Sequence, residues 1–309
     1  MDHTKERILA AYQLTPADYL AQGMEAEVYR YGTDAVLKLY AGHAALDNLR
    51  RLQHFYTTLD RTALSYGVPR IERLVDEGDY LVTIEPRLVG QPLQELIAKT
   101  APADLDGLFP RYLAAVLELG RLTMPSAATH YKLFDPTDLS LRTAGDWHQF
   151  LLHWLQAQLQ TLAPYFARDV LDFPHKLQRM EQLLAAPYTG PYALVHGDIF
   201  PGNLLVDAQG QVQALLDFGL FTMYGDPLFD VATAWVFFDM YDELRANVRA
   251  RLLMVILDHL GEDVRGKLYR YVLLFSLLAA NTYAPDRTDG HYQWSVANLN
   301  NEAYWRDLC

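Results

Sequence analysis

Apolar positions along the first part of the chain change period more than once. Lys5 to Leu14 places Ile8, Leu9 and Tyr12 on one side at helical spacing, which predicts an amphipathic helix. Thr15-Pro16-Ala17-Asp18 reads as a second helix start, with Thr to cap, Pro in the first turn and an acid three residues on. Gly23 breaks that helix. Val28 to Tyr31 and Ala35 to Tyr40, joined by Gly32-Thr33-Asp34, read as a β-hairpin. Ala44 to Thr58 returns to helical spacing. Tyr66 to Ile71 and Tyr80 to Glu85 then predict two more strands, with the turn-like Asp76-Glu77-Gly78-Asp79 between them. Glu85-Pro86-Arg87 runs into Leu88-Val89-Gly90-Gln91-Pro92, where Pro and Gly mark a crossing.

Beyond Leu93 the period is helical over Leu93 to Lys99, Leu108 to Leu122, Trp147 to Leu162 and Lys176 to Ala186, with Pro164 and Pro174 as punctuation. Trp147, Phe150, Leu151, Trp154 and Leu155 form a stripe that core packing explains. A short apolar run, Tyr192 to Val195, then ends at His196-Gly197-Asp198. Leu204 to Val206 and Val212 to Leu216 flank Asp207-Ala208-Gln209-Gly210, a turn with Asp at its start and Gly at its end. A hairpin folds its ends back together, so Asn203 before it and Asp217 after it converge, with the Asp198 loop just upstream. No repeat or low-complexity segment interrupts this order.

The chain has 309 residues, of which 51% are hydrophobic and 12% aromatic, a globular composition long enough for two lobes around a cleft. Its 26 basic and 38 acidic residues leave a net charge of −12, which opposes general attraction to nucleic acid or to an anionic membrane. The single cysteine, Cys309, permits no internal disulfide, as expected in a reducing cytosol. The first residues, MDHTKERILAAYQL, carry charges within their apolar pattern and do not read as a signal peptide. The longest apolar runs, Val272 to Phe275 and Leu277 to Ala280, are split by Ser276 and too short to span a bilayer.

Asp198, Asn203 and Asp217 carry the candidate chemistry. Magnesium prefers hard oxygen ligands and is usually held by one or two carboxylates plus substrate phosphates. Asp217 offers a carboxylate and Asn203 an amide oxygen, a set suited to a metal that arrives with a nucleotide. Asp198, five residues before Asn203, is then free to accept the proton of an attacking hydroxyl. This is the division of labour of the protein-kinase template, in which Asp217-Phe218-Gly219 presents the second metal ligand. His196 is expected to brace the loop through hydrogen bonds rather than to act chemically. Lys38 lies inside an apolar strand, where an ammonium is costly without an anionic partner. The loop before it, Gly23-Met24-Glu25-Ala26-Glu27, holds one glycine where protein kinases have three.

His196-Gly197-Asp198 through Asn203, Asp217-Phe218-Gly219 and Gly225-Asp226-Pro227-Leu228-Phe229-Asp230 together resemble the aminoglycoside phosphotransferase family, which also contains choline, homoserine and fructosamine kinase relatives. The resemblance covers nearly the whole chain. It implies an α+β, protein-kinase-like two-lobed fold, with a small antiparallel sheet lobe over residues 1–87 and a larger, mostly helical lobe over 88–309. It implies a kinase with ATP or GTP as co-substrate and Mg²⁺ as cofactor, acting on a hydroxyl of a small acceptor. Asp198 would be the catalytic base, Asn203 and Asp217 the metal ligands, and Lys38 the grip on the α- and β-phosphates. Backbone groups near Glu85 to Leu88, Arg87 included, would meet the purine. Asp47 is the only acid in the first part of the helix after Lys38; it either pairs with Lys38 or favours the helix N-terminus through the dipole. Asp230 would accept backbone N–H groups of the catalytic loop, and Asp226 would cap the helix that follows.

In such enzymes the acceptor binds between the C-terminal helices and the catalytic loop. The stretch Trp235 to Glu243, with Asp239, Tyr241, Asp242 and Glu243, and the tail Asp286 to Asp307 hold the acids and aromatics of that region. An acidic aromatic wall suits an amine-bearing sugar or a choline-like cation; a solvated helix face explains the same charges. The acceptor is then an aminoglycoside-like amino sugar or, alternatively, a metabolite of homoserine, choline or glycated-amine type. A catalytically silent nucleotide-binding module is the reading from a different class. The partners expected are a nucleotide and a small acceptor, with no nucleic acid and no membrane, in the cytoplasm.

Overall fold

The computed structural model describes residues 3–23, 25–42, 45–134, 141–240, 248–282 and 289–308. Helix α1 (His3–Ala11) leads through a single 3-10 turn, Pro16–Asp18, into β1 (Tyr19–Gln22), β2 (Ala26–Tyr31) and β3 (Ala35–Ala41). Helix α2 (Leu46–Thr58), β4 (Arg73–Asp76) and β5 (Tyr80–Pro86) follow. The five strands make one antiparallel sheet in the order β1-β2-β3-β5-β4. Strand alternation sorts its two faces. Leu37 and Leu39 of β3 and Val82 of β5 are buried with Tyr29 beneath Ile8 of α1. Val36, Lys38 and Tyr40 point to the other face, where Leu49, Phe55 and Tyr56 of α2 are buried.

Two expectations for this part fail for identifiable reasons. The Thr15 start does form its reciprocal cap, with the Thr15 N–H donating to Asp18 at 2.9 Å. It carries only one turn, because Tyr19 to Gln22 is taken up as the strand that pairs with β2. Tyr66 to Ile71 forms no strand of this sheet. Gly67 instead exchanges backbone bonds with the later hairpin, donating to Gln213 at 2.8 Å and accepting from Leu215 at 3.0 Å.

The chain crosses at β6 (Gln91–Pro92) into α3 (Leu93–Lys99) and α4 (Phe109–Leu119), then α5 (Trp147–Asp169) and α6 (Phe173–Leu184). Gly90 has φ of +134°, and a Cβ there would lie 2.9 Å from Leu205 and 3.0 Å from the Val206 carbonyl, so the crossing runs tight against the hairpin. Of the two prolines, only Pro174 punctuates as expected. Pro164 lies inside α5, which the burial of Leu155, Leu162 and Phe166 carries past the lost hydrogen bond. Pro174 sits in the first turn of α6, where a missing N–H costs nothing.

Strands β7 (Ala193–Val195), β8 (Leu204–Val206), β9 (Val212–Leu215) and β10 (Met223–Gly225) form two small sheets, β6-β8-β9 and β10-β7. Helices α7 (Leu228–Phe237), α8 (Val248–Leu260), α9 (Arg265–Leu278), α10 (Gly290–Leu299) and α11 (Glu302–Arg306) complete the chain. Leu268, Tyr271 to Leu274, Leu277 and Leu278 of α9 are all buried, which accounts for its apolar runs without a membrane. Ser276 between those runs is satisfied by the Val272 carbonyl and by Asn298. Among the described residues no helix is long and apolar enough to cross a membrane. The architecture is thus α+β, an antiparallel sheet followed by a mostly helical part.

Candidate active site

The loop after β7 is held from below. Asp230, in the first turn of α7, accepts the His196 N–H at 2.7 Å on one oxygen and the Gly197 N–H at 2.7 Å on the other. Burial pushes its pKa up to about 7, against the pull of those two donors. Gly197 has φ of +77°, and a Cβ there would stand 2.5 Å from Phe221, so only glycine lets the loop pass. The carboxylate role expected for Asp230 is the one its hydrogen bonds describe. Asp226, expected to cap α7, accepts the Leu228 N–H at 3.0 Å and also takes the Tyr271 hydroxyl and the Lys267 ammonium.

His196 braces the same loop from within. Its Nε2 lies 2.8 Å from the Leu216 carbonyl, and the Asp198 N–H lies 3.2 Å from Nδ1. Both bonds are satisfied at once only by the neutral ring with its proton on Nε2. Burial lowers its pKa to about 4. Nitrogen-15 NMR of the ring is therefore expected to show the Nε2–H tautomer throughout pH 5.5–8. An imidazolium forming near the usual pKa of about 6.5 would sink this assignment.

The hairpin brings its two ends together as its turn chemistry predicts. The Leu216 N–H donates to the Asn203 carbonyl at 2.8 Å. Asn203 turns its amide nitrogen to Asp198, 3.0 Å from the backbone oxygen and 3.2 Å from Oδ2, which leaves its amide oxygen on the opposite side of the group. Burial, then the negative charge of Asp217, pushes the Asp198 pKa up to about 6, while the Asn203 bond pulls it down. Asp217 itself has φ of +57°, a left-handed backbone that costs most side chains about 1–2 kcal/mol. Phe218 beside it is buried against Phe55 and Tyr56 of α2 and the His196 ring, with centroids 4.5–5.9 Å apart. Phe55 also meets Phe134 edge-on.

Lys38 faces this group from the sheet. Its Nζ lies 3.1 Å from Oε2 of Glu85. Burial draws its pKa down, but the carboxylate of Glu85, with Tyr40 and Asp217 behind it, more than offsets that and raises it. Asp47 is not the partner. It stands exposed in the first turn of α2, 3.5 Å from Arg50, and the inward positions of α2 are Leu49, Phe55 and Tyr56. Glu85, named for backbone groups near the purine, also brings its carboxylate to Lys38. Arg87 is exposed, and its N–H donates to the Asp34 carbonyl at 2.7 Å. The missed signal was a lone Glu in the apolar run Tyr-Leu-Val-Thr-Ile-Glu beside a strand holding a lone Lys.

Asp217 and Asn203 fit a magnesium ion that comes with its nucleotide. They are hard oxygen donors, and among the described residues no group of three His, Cys, Asp or Glu could cage a metal by itself. A row of aromatic rings lies beside the loop. Phe221, against Gly197, continues through Trp154 and Phe275 to Trp294, with centroids 5.5–6.3 Å apart. Trp154, expected only as core, also carries the Lys132 ammonium 4.2 Å from its ring centroid. Two of the acids anticipated for a wall there are paired. Asp239 pairs with Arg249 at 2.6 Å, Glu302 with Lys176 at 2.7 Å, and Trp235 is buried with its N–H on the Arg249 carbonyl. Met24, Ala44, Tyr241, Asp242, Glu243, Asp286 and Cys309 lie outside the described residues.

Residues 18–269 match the model of the phosphotransferase enzyme family, APH. The chain belongs to that family. Solved structures of similar fold include aminoglycoside phosphotransferase APH(2'')-Ib with ADP bound, 16% identical over 100% of both chains with a TM-score of 0.63. A GDP and kanamycin complex of APH(2'')-IIia is 17% identical over 99% of this chain and 98% of that one, with a TM-score of 0.61. Macrolide 2'-phosphotransferase type I is 16% identical over 97% and 96%, with a TM-score of 0.58. No curated protein matches in sequence. The fold is thus the protein-kinase-like one of the phosphotransferases, as the resemblance implied.

Proposed function

We propose that this phosphotransferase moves the γ-phosphoryl group of ATP or GTP to a hydroxyl of a small acceptor. The observation that carries the reading is the convergence of the hydrogen-bonded pair Asp198 and Asn203 with Asp217, whose neighbour Leu216 is tied to the Asn203 carbonyl and whose charge acts on both Asp198 and the Lys38 ammonium. Phosphoryl transfer asks for little covalent chemistry from the protein, so position and charge neutralisation do most of the work. Asp198 orients the acceptor hydroxyl and takes its proton as the oxygen–phosphorus bond forms. The bond from the γ-phosphorus to the bridging oxygen breaks, and the nucleoside diphosphate leaves. Lys38 holds phosphate oxygens. Asn203 and Asp217 would hold Mg²⁺, which when bound neutralises charge on the phosphates. The nucleotide is taken between a lobe of residues 1–87 and a lobe of residues 88–309, in the cytoplasm.

The acceptor reading starts from the relatives by fold, some of which are structures with gentamicin or kanamycin bound. An amino sugar is our first candidate, since half-buried aromatic faces such as Phe221 and Trp294 attract ammonium groups. The test is release of ADP or GDP over a panel of aminoglycosides, macrolides, homoserine, choline and glycated amines, with each nucleotide. Acceptor-dependent release with an amino sugar supports the full reading. Release only with a metabolite moves the acceptor class, and no release with any acceptor, combined with no nucleotide binding, removes the kinase.

A further inference from the structure

Protein kinases set the phosphate-gripping lysine with a glutamate on the helix that follows it. Here that helix has no acid to give: the only acid in α2 is Asp47, exposed at its far end. The anion comes from the sheet. In the β3–β5 register Lys38 stands opposite Thr83, and Val36 opposite Glu85, so Glu85 is the diagonal neighbour of Lys38 on the same face. Its Oε2 meets the ammonium at 3.1 Å, and Oε1 accepts the Thr83 hydroxyl at 2.9 Å. Glu85 is only 4% exposed and Thr83 is fully buried. A carboxylate buried to that degree requires a cation, and one hydrogen-bonded on its second oxygen has little freedom left.

We propose that Glu85 is the positioning residue of Lys38, with Thr83 as its brace, so that the nucleotide grip is set within the sheet and not by α2. The proposal rests on the reading of Lys38 as the phosphate ligand. Helix α2 keeps a different task, since Phe55 and Tyr56 pack on Phe218 and thereby seat Asp217. Two duties that kinases assign to one helix are divided here between a strand and a helix.

The test is Mg²⁺–ADP affinity by calorimetry in a double-mutant cycle of Glu85→Gln and Lys38→Met. Glu85→Gln keeps the shape and the Thr83 bond but removes the charge. It is expected to weaken binding roughly tenfold beside Lys38 and less than about twofold in the Lys38→Met background, the coupling expected of groups in direct contact. Thr83→Val, a milder change, is expected to weaken binding roughly threefold with the same dependence on Lys38, and it serves should Glu85→Gln fail to fold. Unchanged or tighter binding in these variants, or equal losses with and without Lys38, would overturn the proposal. Wild-type protein that binds no Mg²⁺–ADP would instead remove the kinase reading itself, and this inference with it.

Discussion

Asp198→Asn is expected to lower turnover by about 10²–10⁴-fold, the range for removing a positioned general base. The variant tests chemistry with little disturbance of structure. Asn retains an oxygen for the Asn203 amide, and the backbone N–H that donates to His196 is unchanged. Nucleotide affinity should therefore stay within about threefold of wild type, since Asp198 is assigned to the acceptor and not to the phosphates. Loss in kcat without loss of nucleotide binding is the expected signature. Turnover near wild type would take Asp198 out of the base role.

Asp217→Ala is expected to abolish the magnesium-dependent part of ATP or GTP affinity. The carboxylate is the only charged oxygen donor we assign to the metal, so Asn203 would be left as a single neutral ligand. The substitution also places Ala at a left-handed φ of +57°, which adds strain of about 1–2 kcal/mol. Asp217→Asn separates the two effects, because Asn tolerates that backbone and offers an uncharged oxygen. Magnesium titrations of nucleotide binding should collapse in both variants, with thermal stability lowered mainly in the alanine form. An ATP affinity that still responds to magnesium as in wild type would refute the ligand assignment.

Much of this site was legible because its spacing is short. Asp198 and Asn203 are five residues apart, and Asp217 is returned to them by a hairpin whose turn residues declare themselves. Local rules suffice for such a motif. They also suffice for Lys38, whose cost within an apolar strand calls for an anion. They do not say which anion, because the register between β3 and β5 is set across a long intervening helix and loop. Asp47 was nearer in sequence to the expected pattern, and Glu85 nearer in space. The same limit applies to Tyr66 to Ile71: its composition suits a strand, but its backbone partners lie at Gln213 and Leu215. Asp239 likewise looks like a free acid until Arg249, from the next helix, closes on it.

The seating of Phe218 against α2 has a pharmacological consequence. A compound that wedges between this helix and the sheet would pull the aromatic plug away and tilt Asp217 out of the position in which we propose it would hold the metal, yet leave the ammonium clasped. Escape substitutions against such an inhibitor should gather at Phe55 and Tyr56, which line the plug, and at Phe134 behind Phe55, and spare Lys38 and Glu85.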